Sequence, residues 1–261
     1  VISLFLKKMK TYISITSIFC RQAPLAESLN SILSQTGNID KIYLNLSEEP
    51  YLLDDGFKDR NITDSGLKQT LKNDLIEVCW VKNTGPHRKL LPTLQKHFDD
   101  DCIIITLDDD FVFNPILIES LVNAYKETPQ HVITARKWHL DISKGWSNLS
   151  YYKRLTPKLG AELEYFHTGG AGTLYSPSHF AKIKDKMFDE SVYMKICKYA
   201  DDVWFNMCRI KSQTKCRWIK IDYRMSPMRK DKKCLNTINN NKSDKLNDVQ
   251  IKNCIKHFEI V

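Results

Sequence analysis

Three consecutive carboxylates, Asp108-Asp109-Asp110, follow directly on the apolar run Cys102–Leu107. Ile103-Ile104-Ile105-Thr106-Leu107 is short, β-branched and without alternation, the pattern of a strand buried on both faces. Acids at the C-terminal edge of such a strand lie where open α/β sheets bind ligands. Adjacent carboxylates repel one another and are tolerated when solvated or when a cation sits among them. If the chain stays extended, Asp108 and Asp110 point to one side and Asp109 to the other. The outer pair suits a hard divalent cation that holds a phosphate, whereas Asp109 reads better as a structural or solvated acid. The plainer reading of the whole run is a solvated acidic turn.

Four further groups carry chemistry. Asp201-Asp202 opens a predicted helix; an acid there caps backbone amides, the plainer role for Asp201, or serves as a general base, the role that suits Asp202. Arg88 and Lys89 start another helix after Asn83-Thr84-Gly85-Pro86, where a cation can neutralise phosphate or simply face solvent. Thr16-Ser17-Ile18-Phe19-Cys20-Arg21 joins a strand to a helix. Gly169-Gly170-Ala171-Gly172 either lets backbone approach a ligand closely or makes a plain turn. Trp138, Trp146, Tyr151, Tyr152 and Trp204 are core residues or sugar-stacking platforms, Trp146 and Tyr151 being favoured as platforms by their polar surroundings. His167 stands alone, and a lone histidine is more often structural than a ligand.

The elements that must position these groups alternate. Tyr12–Ile18 is a first strand. Pro24 opens a helix with Leu25, Leu29, Ile32 and Leu33 at helical spacing, ended by Gly37. Lys41–Leu46 is the second strand, and Ser47–Asn73 a long polar loop with a short helix. Leu75–Val81 is the third strand, Lys89–Phe98 a helix, Cys102–Leu107 the fourth strand, Pro115–Glu127 a helix capped by Asn114, and Val132–Ala135 a fifth strand. This order implies a mostly parallel sheet with right-handed crossovers. Beyond it, Trp138–Tyr165 is aromatic and irregular, Ser178–Met187 and Asp202–Lys211 read as helices, and Arg217–Ile221 as a strand. Arg229–Asp248 is rich in Lys and Asn and reads as mobile; Val249–Phe258 could form a short amphipathic helix.

The chain has 261 residues, a formal net charge of +8 and ordinary globular composition. That length allows one large α/β domain with a sizeable core. The charge favours acidic partners such as a nucleotide diphosphate or an anionic membrane surface, but no recognised nucleic-acid module is present. Eight cysteines at irregular spacing, with no Cys-x-x-Cys, argue against a disulfide framework or zinc and for a reducing compartment. No stretch is long enough to span a bilayer, and Val1–Leu6 makes a poor signal peptide. The sequons at Asn45, Asn61, Asn148 and Asn241 carry little weight without one. A cytoplasmic protein is expected, in peripheral contact with the inner membrane face if the basic tail touches anionic lipid.

Taken in order and spacing, these motifs resemble the GT-A-type glycosyltransferases, close to the family 2 group that uses nucleotide-sugars. The resemblance covers roughly Tyr12 to Ile221. It implies an α/β, Rossmann-like single domain over 10–228 with a mixed, mainly parallel central sheet flanked by helices. A nucleotide-binding half would run over about 10–136 and an acceptor-binding half over about 137–228, leaving 229–261 as a basic tail. It implies transfer of one sugar, of the hexosyltransferase class, from a UDP-sugar to a glycan or lipid-linked acceptor. Mn2+ or Mg2+ would be held by Asp110 with Asp108, Asp108 also reaching the ribose. Ser17, Arg21, Lys89, Asp108, Asp109 and Gly170 would face the donor, Lys89 through the Gly-Pro-x-x-Lys loop. Asp202 would be the base of an inverting reaction with Asp201 beside it, and Trp146, Tyr151 and Trp204 would meet the acceptor.

Two departures stand out. The family's acid after the second strand has no clear counterpart: Asn45, Ser47 and Glu48 occupy the region, and Asp54 and Asp55 are alternatives within the long loop. The Gln-x-x-Arg-Trp signature of processive synthases is missed by one residue, Gln213 preceding Arg217-Trp218, so polymer extrusion is not expected. Two other readings compete: a nucleotidyltransferase, which would want a glycine-rich loop where Ile18-Phe19-Cys20-Arg21 stands, and a nucleotide- or sugar-binding domain that kept the fold and lost catalysis.

Overall fold

The computed structural model describes residues 9–156, 158–225, 235–239 and 245–261. Val1–Leu6 and most of the basic stretch Arg229–Asp248 lie outside them. The first half alternates as β1 (Lys10–Thr16), α1 (Gln22–Leu33), β2 (Lys41–Leu46), α2 (Ser65–Thr70), β3 (Ile76–Trp80), α3 (Leu91–Lys96), β4 (Cys102–Leu107), α4 (Leu117–Glu127) and β5 (Val132–Thr134). Short strands follow: β6 (Lys137–His139), β7 (Gly160–Glu162), β8 (Tyr165–His167) and β9 (Ala171–Tyr175). The chain then forms α5 (Lys184–Met187), α6 (Glu190–Ile196), α7 (Asp201–Lys211), β10 (Cys216–Trp218), α8 (Leu235–Asn239) and α9 (Leu246–Phe258).

Among the described residues the main sheet runs β3-β2-β1-β4-β9-β5-β10-β7, with β6 and β8 as a separate hairpin-like pair. β3, β2, β1 and β4 are parallel neighbours, and β5 pairs β10 in parallel. β9 is antiparallel to both β4 and β5, and β7 is antiparallel to β10. The sheet is therefore mixed and mainly parallel. Its order reverses at β1 and β4, and such a switch point leaves a crevice beyond the C-terminal strand ends.

Two apolar layers cover the sheet. β4 has no exposed residue, because Ile103, Ile105 and Leu107 pack with Leu25 and Leu29 of α1 and Leu117 and Leu121 of α4. Cys102 and Ile104 face the other layer, with Leu91 and Leu94 of α3 and Val203, Phe205 and Met207 of α7. A strand covered on both sides needs no polar alternation, which explains the unbroken apolar run. Thr106 is its polar exception and donates to the Gly169 carbonyl at 2.6 Å, tying the glycine-rich segment to the strand end.

The differences from the sequence reading have local causes. β9 sits in the middle of the sheet although its sequence, Ala-Gly-Thr-Leu-Tyr, begins as a glycine-rich turn; Gly172 takes φ +98°, a conformation a side chain would resist. Glu190–Ile196, not expected as an element, is helical, with Asp189 capping the Val192 amide. Asn114 is not the N-cap of α4, which is Ile116; its side chain accepts from the Ile116 amide at 3.2 Å, two residues on. The terminal helix is longer than expected and is no appendage: Ile251, Cys254, Ile255 and Phe258 are buried in the α7 layer. A boundary at 228 does not separate α9 from the core. The seven described cysteines form no disulfide. Among the described residues no helix is long and apolar enough to cross a membrane.

Candidate active site at the sheet switch point

A cavity of about 340 Å³ opens over the C-terminal ends of β1 and β4. It is lined by Thr16 at the end of β1 and Ser17 and Arg21 after it, by Gly85, Pro86, Arg88 and Lys89 before α3, and by Asp108, Asp109 and Asp110 after β4. Gly169 and Gly170 before β9, and Asp201 and Asp202 at the start of α7, close the opposite side. Residues far apart in sequence thus meet because five connections end at one edge of one sheet.

Lys89 is the hub. Its Nζ lies 2.6 Å from Asp108 Oδ1 and 3.4 Å from Asp201 Oδ2, so it joins the two acidic segments. The backbone beneath it is fixed: Ser14 Oγ on β1 donates to the Lys89 carbonyl at 2.5 Å, and Asn45 Nδ2 on β2 donates to the Arg88 carbonyl at 2.9 Å. Burial works against the ammonium, but Asp108 and Asp201 outweigh it and hold Lys89 well above its ordinary value. Burial likewise works against the Asp108 carboxylate, and Lys89 more than offsets it, keeping that group below the ordinary range.

The three carboxylates after β4 take different environments. Asp109 is turned inward and accepts from Ser17 Oγ and, at 3.1 Å, from Arg21. It is buried, which raises its pKa, and it acts as a structural clamp between the β1 and β4 ends. Asp110 lies 3.7 Å from Arg21, and its Oδ1 is buried with no hydrogen-bond partner. Burial first, then the neighbouring charges of Asp108 and Asp109, push Asp110 up to about 7. Among the described residues no cluster of three acids, histidines or cysteines is poised to hold a metal ion. What the site offers a hard cation is the Asp108 and Asp110 pair, with one buried carboxylate oxygen uncommitted; the remaining ligands would have to come with a substrate.

Gly170 makes this geometry possible. Its carbonyl accepts from the Asp108 amide at 2.8 Å, and a Cβ in its place would lie 1.6 Å from Asp108 Oδ2. On α7, Asp202 accepts from the Val203 amide at 2.9 Å and from the Tyr151 hydroxyl at 3.4 Å. Burial, then the charge of Asp201, push Asp202 up to about 7, a value suited to a base working near neutrality. Tyr151 lines the cavity, and burial followed by the Asp202 charge raises its phenol.

Trp204 and Trp146 lie away from where an acceptor contact would need them, whereas His167 is structural, as a lone histidine is expected to be. Trp204 is fully buried on α7, where its Nε1 donates to the Met187 carbonyl at 3.1 Å and its ring packs on Phe258 and Tyr193. It is a core residue and cannot touch an acceptor. Trp146 packs against the core beside α9 and does not line the cavity. His167 is buried in the core beside Tyr175, its pKa lowered by burial and then by Arg209. Asp54, the alternative for the acid after β2, lines the cavity but is engaged: it pairs with Arg88 at 2.8 Å and accepts from the Phe19 and Gly56 amides.

Arg136 was not singled out. It follows β5, the next strand end along the edge, and lines the cavity with its Nε buried and unpartnered. Burial lowers it, while the Tyr223 hydroxyl and the Asp108 charge raise it further, so it stays cationic. The signal was its place just past a predicted strand, as for Asp108. Tyr51, Leu52 and Leu53 from the long loop after β2 also line the cavity, and nothing in their composition marked them.

Comparison with known structures places this architecture. S. aureus TarS superposes with a TM-score of 0.52 at 13% identity, over 82% of this chain and 36% of that one. A fragment of S. aureus TarS, residues 1–349, in complex with UDP superposes with a TM-score of 0.52 at 11% identity, over 84% of this chain and 60% of the fragment. CMP:2-keto-3-deoxy-manno-octonic acid synthetase complexed with CTP gives 0.50 at 12% identity, over 90% of this chain and 99% of that one. At such identities these likenesses speak for the fold. The chain spans little more than a third of the full TarS structure. No curated protein matches it in sequence. The model of glycosyl transferase family 2 matches residues 14–197, which include the C-terminal end of β1, the β4 acids and the glycine-rich segment, and by that match over more than half its length the chain belongs to glycosyl transferase family 2.

Proposed function

We propose that the chain transfers one hexosyl group from a UDP-sugar to a hydroxyl of a glycan or lipid-linked acceptor, with metal assistance and inversion at the anomeric carbon. One observation carries the reading: the acids after β4 and the acids opening α7 face one cavity from opposite sides, with Lys89 between them. A cavity of that size falls within the roughly 300–1,000 Å³ of small-molecule sites. Uridine is the base of choice because the TarS fragment that shares the fold is a complex with UDP.

In this reading residues 10–136 hold the donor. Arg21, Lys89 and Arg136 surround the diphosphate with positive charge, and Ser17 and Asp109 keep the β1 loop in register. Asp108 and Asp110 would hold Mn2+ or Mg2+, and the uncommitted Asp110 oxygen fits that role. Such a cation neutralises charge gathering on the leaving diphosphate. Gly170 lets the backbone pass close to Asp108 and the donor sugar. Residues 137–228 hold the acceptor, and Asp202 takes the proton of its attacking hydroxyl, a contribution of roughly 10²–10⁴-fold. Tyr151 orients that carboxylate.

A nucleotidyltransferase shares the fold class, but the turn after β1, residues 19–21, is a short helical turn without glycine. The test is incubation of the full chain and Mn2+ with UDP-sugars and a panel of simple glycosides, following UDP release and the anomeric configuration of any product by NMR. UDP release that depends on an added glycoside, with an inverted product, supports the reading. Pyrophosphate release from UTP and a sugar phosphate, with no transfer from UDP-sugars, would replace it with the nucleotidyltransferase.

A further inference from the structure

α9 begins beside the base. Asp248 on its first turn accepts from Ser150 Oγ at 2.8 Å and from the Tyr151 amide at 2.7 Å. Gln250 Oε1 accepts from the Tyr199 amide at 2.9 Å. On α8, Asn239 Nδ2 donates to the Tyr199 carbonyl at 2.9 Å, and the Tyr152 hydroxyl donates to the Asn239 carbonyl at 2.9 Å. α8 and α9 are thereby tied to the two segments that flank Asp202: the 150–152 turn, whose Tyr151 touches it, and the Tyr199-Ala200 step that leads into α7.

Asn239 and Asn247 line the same cavity as Asp202. Both are more than nine-tenths buried, at 8% and 5% exposed. The side-chain oxygen of each is buried with no hydrogen-bond partner. Buried amide oxygens are nearly always paired, so two unpaired ones in one cavity call for a ligand that supplies donors. The Asn239 nitrogen is already committed to Tyr199, and what that side chain has left to offer is an acceptor.

We propose that Asn239 and Asn247 form an acceptor subsite that selects the hydroxyls of an uncharged saccharide and presents it to Asp202. The proposal rests on the glycosyltransferase reading and adds to it the class of acceptor and the segment that reads it. A hydroxyl can donate to an unpaired amide oxygen; a phosphate or carboxylate has nothing to donate. Asp201 and Asp202 line the same cavity and would repel an anionic group, Tyr151 and Tyr199 add neutral wall, and the cavity's cations Arg21, Lys89 and Arg136 are those assigned to the diphosphate. A charged part of a larger acceptor must therefore lie outside this subsite. A site built around hydrogen bonds to hydroxyls discriminates strongly against ligands that leave its polar groups unpaired.

The test uses the full chain with UDP and Mg2+, and saturation-transfer NMR of methyl glucoside, methyl galactoside and methyl N-acetylglucosaminide against their 6-phosphates. At least one neutral glycoside should bind at tens of millimolar or better, with its 6-phosphate about tenfold weaker or more. Asn239→Ala and Asn247→Ala should each weaken that binding by about three- to tenfold, the worth of one ordinary hydrogen bond, and leave UDP affinity unchanged. UDP binding with no neutral glycoside bound, or with the 6-phosphates bound equally well, overturns the subsite and leaves the donor reading standing. So does unchanged glycoside affinity in both folded variants. The unmodified chain alone decides between neutral and charged ligands should a variant not fold. Failure to bind UDP at all overturns the glycosyltransferase reading and the subsite with it.

Discussion

Replacing Gly170 by alanine perturbs the site through one methyl group. The new Cβ would sit 1.6 Å from Asp108 Oδ2 and 1.9 Å from its Cγ, far inside any tolerable contact. Either the Asp108 carboxylate rotates away or the backbone around Gly170 retreats. Rotation breaks the 2.6 Å pair with Lys89. A hydrogen bond between charged groups is worth about 1.5–3 kcal/mol, and the Asp108 side chain is one-third exposed, so screening brings this to about 1–2 kcal/mol. Retreat instead breaks the 2.8 Å bond from the Asp108 amide to the Gly170 carbonyl, about 1 kcal/mol. Either path loosens the hold on Asp108, a carboxylate assigned to the cation, so UDP affinity in Mn2+ should fall by about five- to thirtyfold. Gly169→Ala is the control: its Cβ meets nothing closer than 3.7 Å, and the variant should stay within about 0.5 kcal/mol of the parent. Urea denaturation and calorimetric titration of UDP with Mn2+ measure both. A Gly170→Ala protein with parental stability and UDP affinity would refute the close packing of this glycine on Asp108.

Four more predictions concern the base and the core. Asp202 titrates near 7 because burial, then Asp201, raise it; it is protonated and inert below that value and ionised above it, so transfer should climb with pH to a plateau with its midpoint near 7. Asp202→Asn should lose about 100-fold or more in a steady-state transfer assay and keep UDP binding by calorimetry. Arg88→Ala strands Asp54 in a site where both side chains are 2% exposed, and urea melts should show a loss of about 3–5 kcal/mol. Phe258→Ala should cost a similar amount, about 3–5 kcal/mol, if α9 belongs to the core, whereas a detachable tail would leave the melt unchanged.

The β4 acids were legible because a strand covered on both faces leaves an unmistakable apolar run, and the residues after it must emerge at the sheet edge. The same logic reached Asp201 and Asp202, since a helix start at that edge faces the same crevice. It would have reached Arg136 had the end of the fifth strand been weighed like the fourth. The aromatic residues were different. Trp204 lies on a helix covered by the sheet on one side and by α9 on the other, and sequence gives no sign that a distant terminal helix will cover it. The alternation of an extended chain already set Asp109 apart from Asp108 and Asp110 as a structural acid; what it did not show was that Ser17 and Arg21 would be its partners. β9 was hidden because Gly169 and Gly170 just ahead of it and Gly172 within it look like a turn.

The most direct test of the cation-and-diphosphate site is calorimetric titration of UDP into the full chain with Mn2+ or with chelator, for the parent and for Asp110→Ala. Parent protein should bind UDP only with Mn2+, and Asp110→Ala should lose that binding while melting cooperatively. Equal UDP affinity with and without metal, or unchanged affinity in Asp110→Ala, would contradict the assignment of Asp110 to the cation.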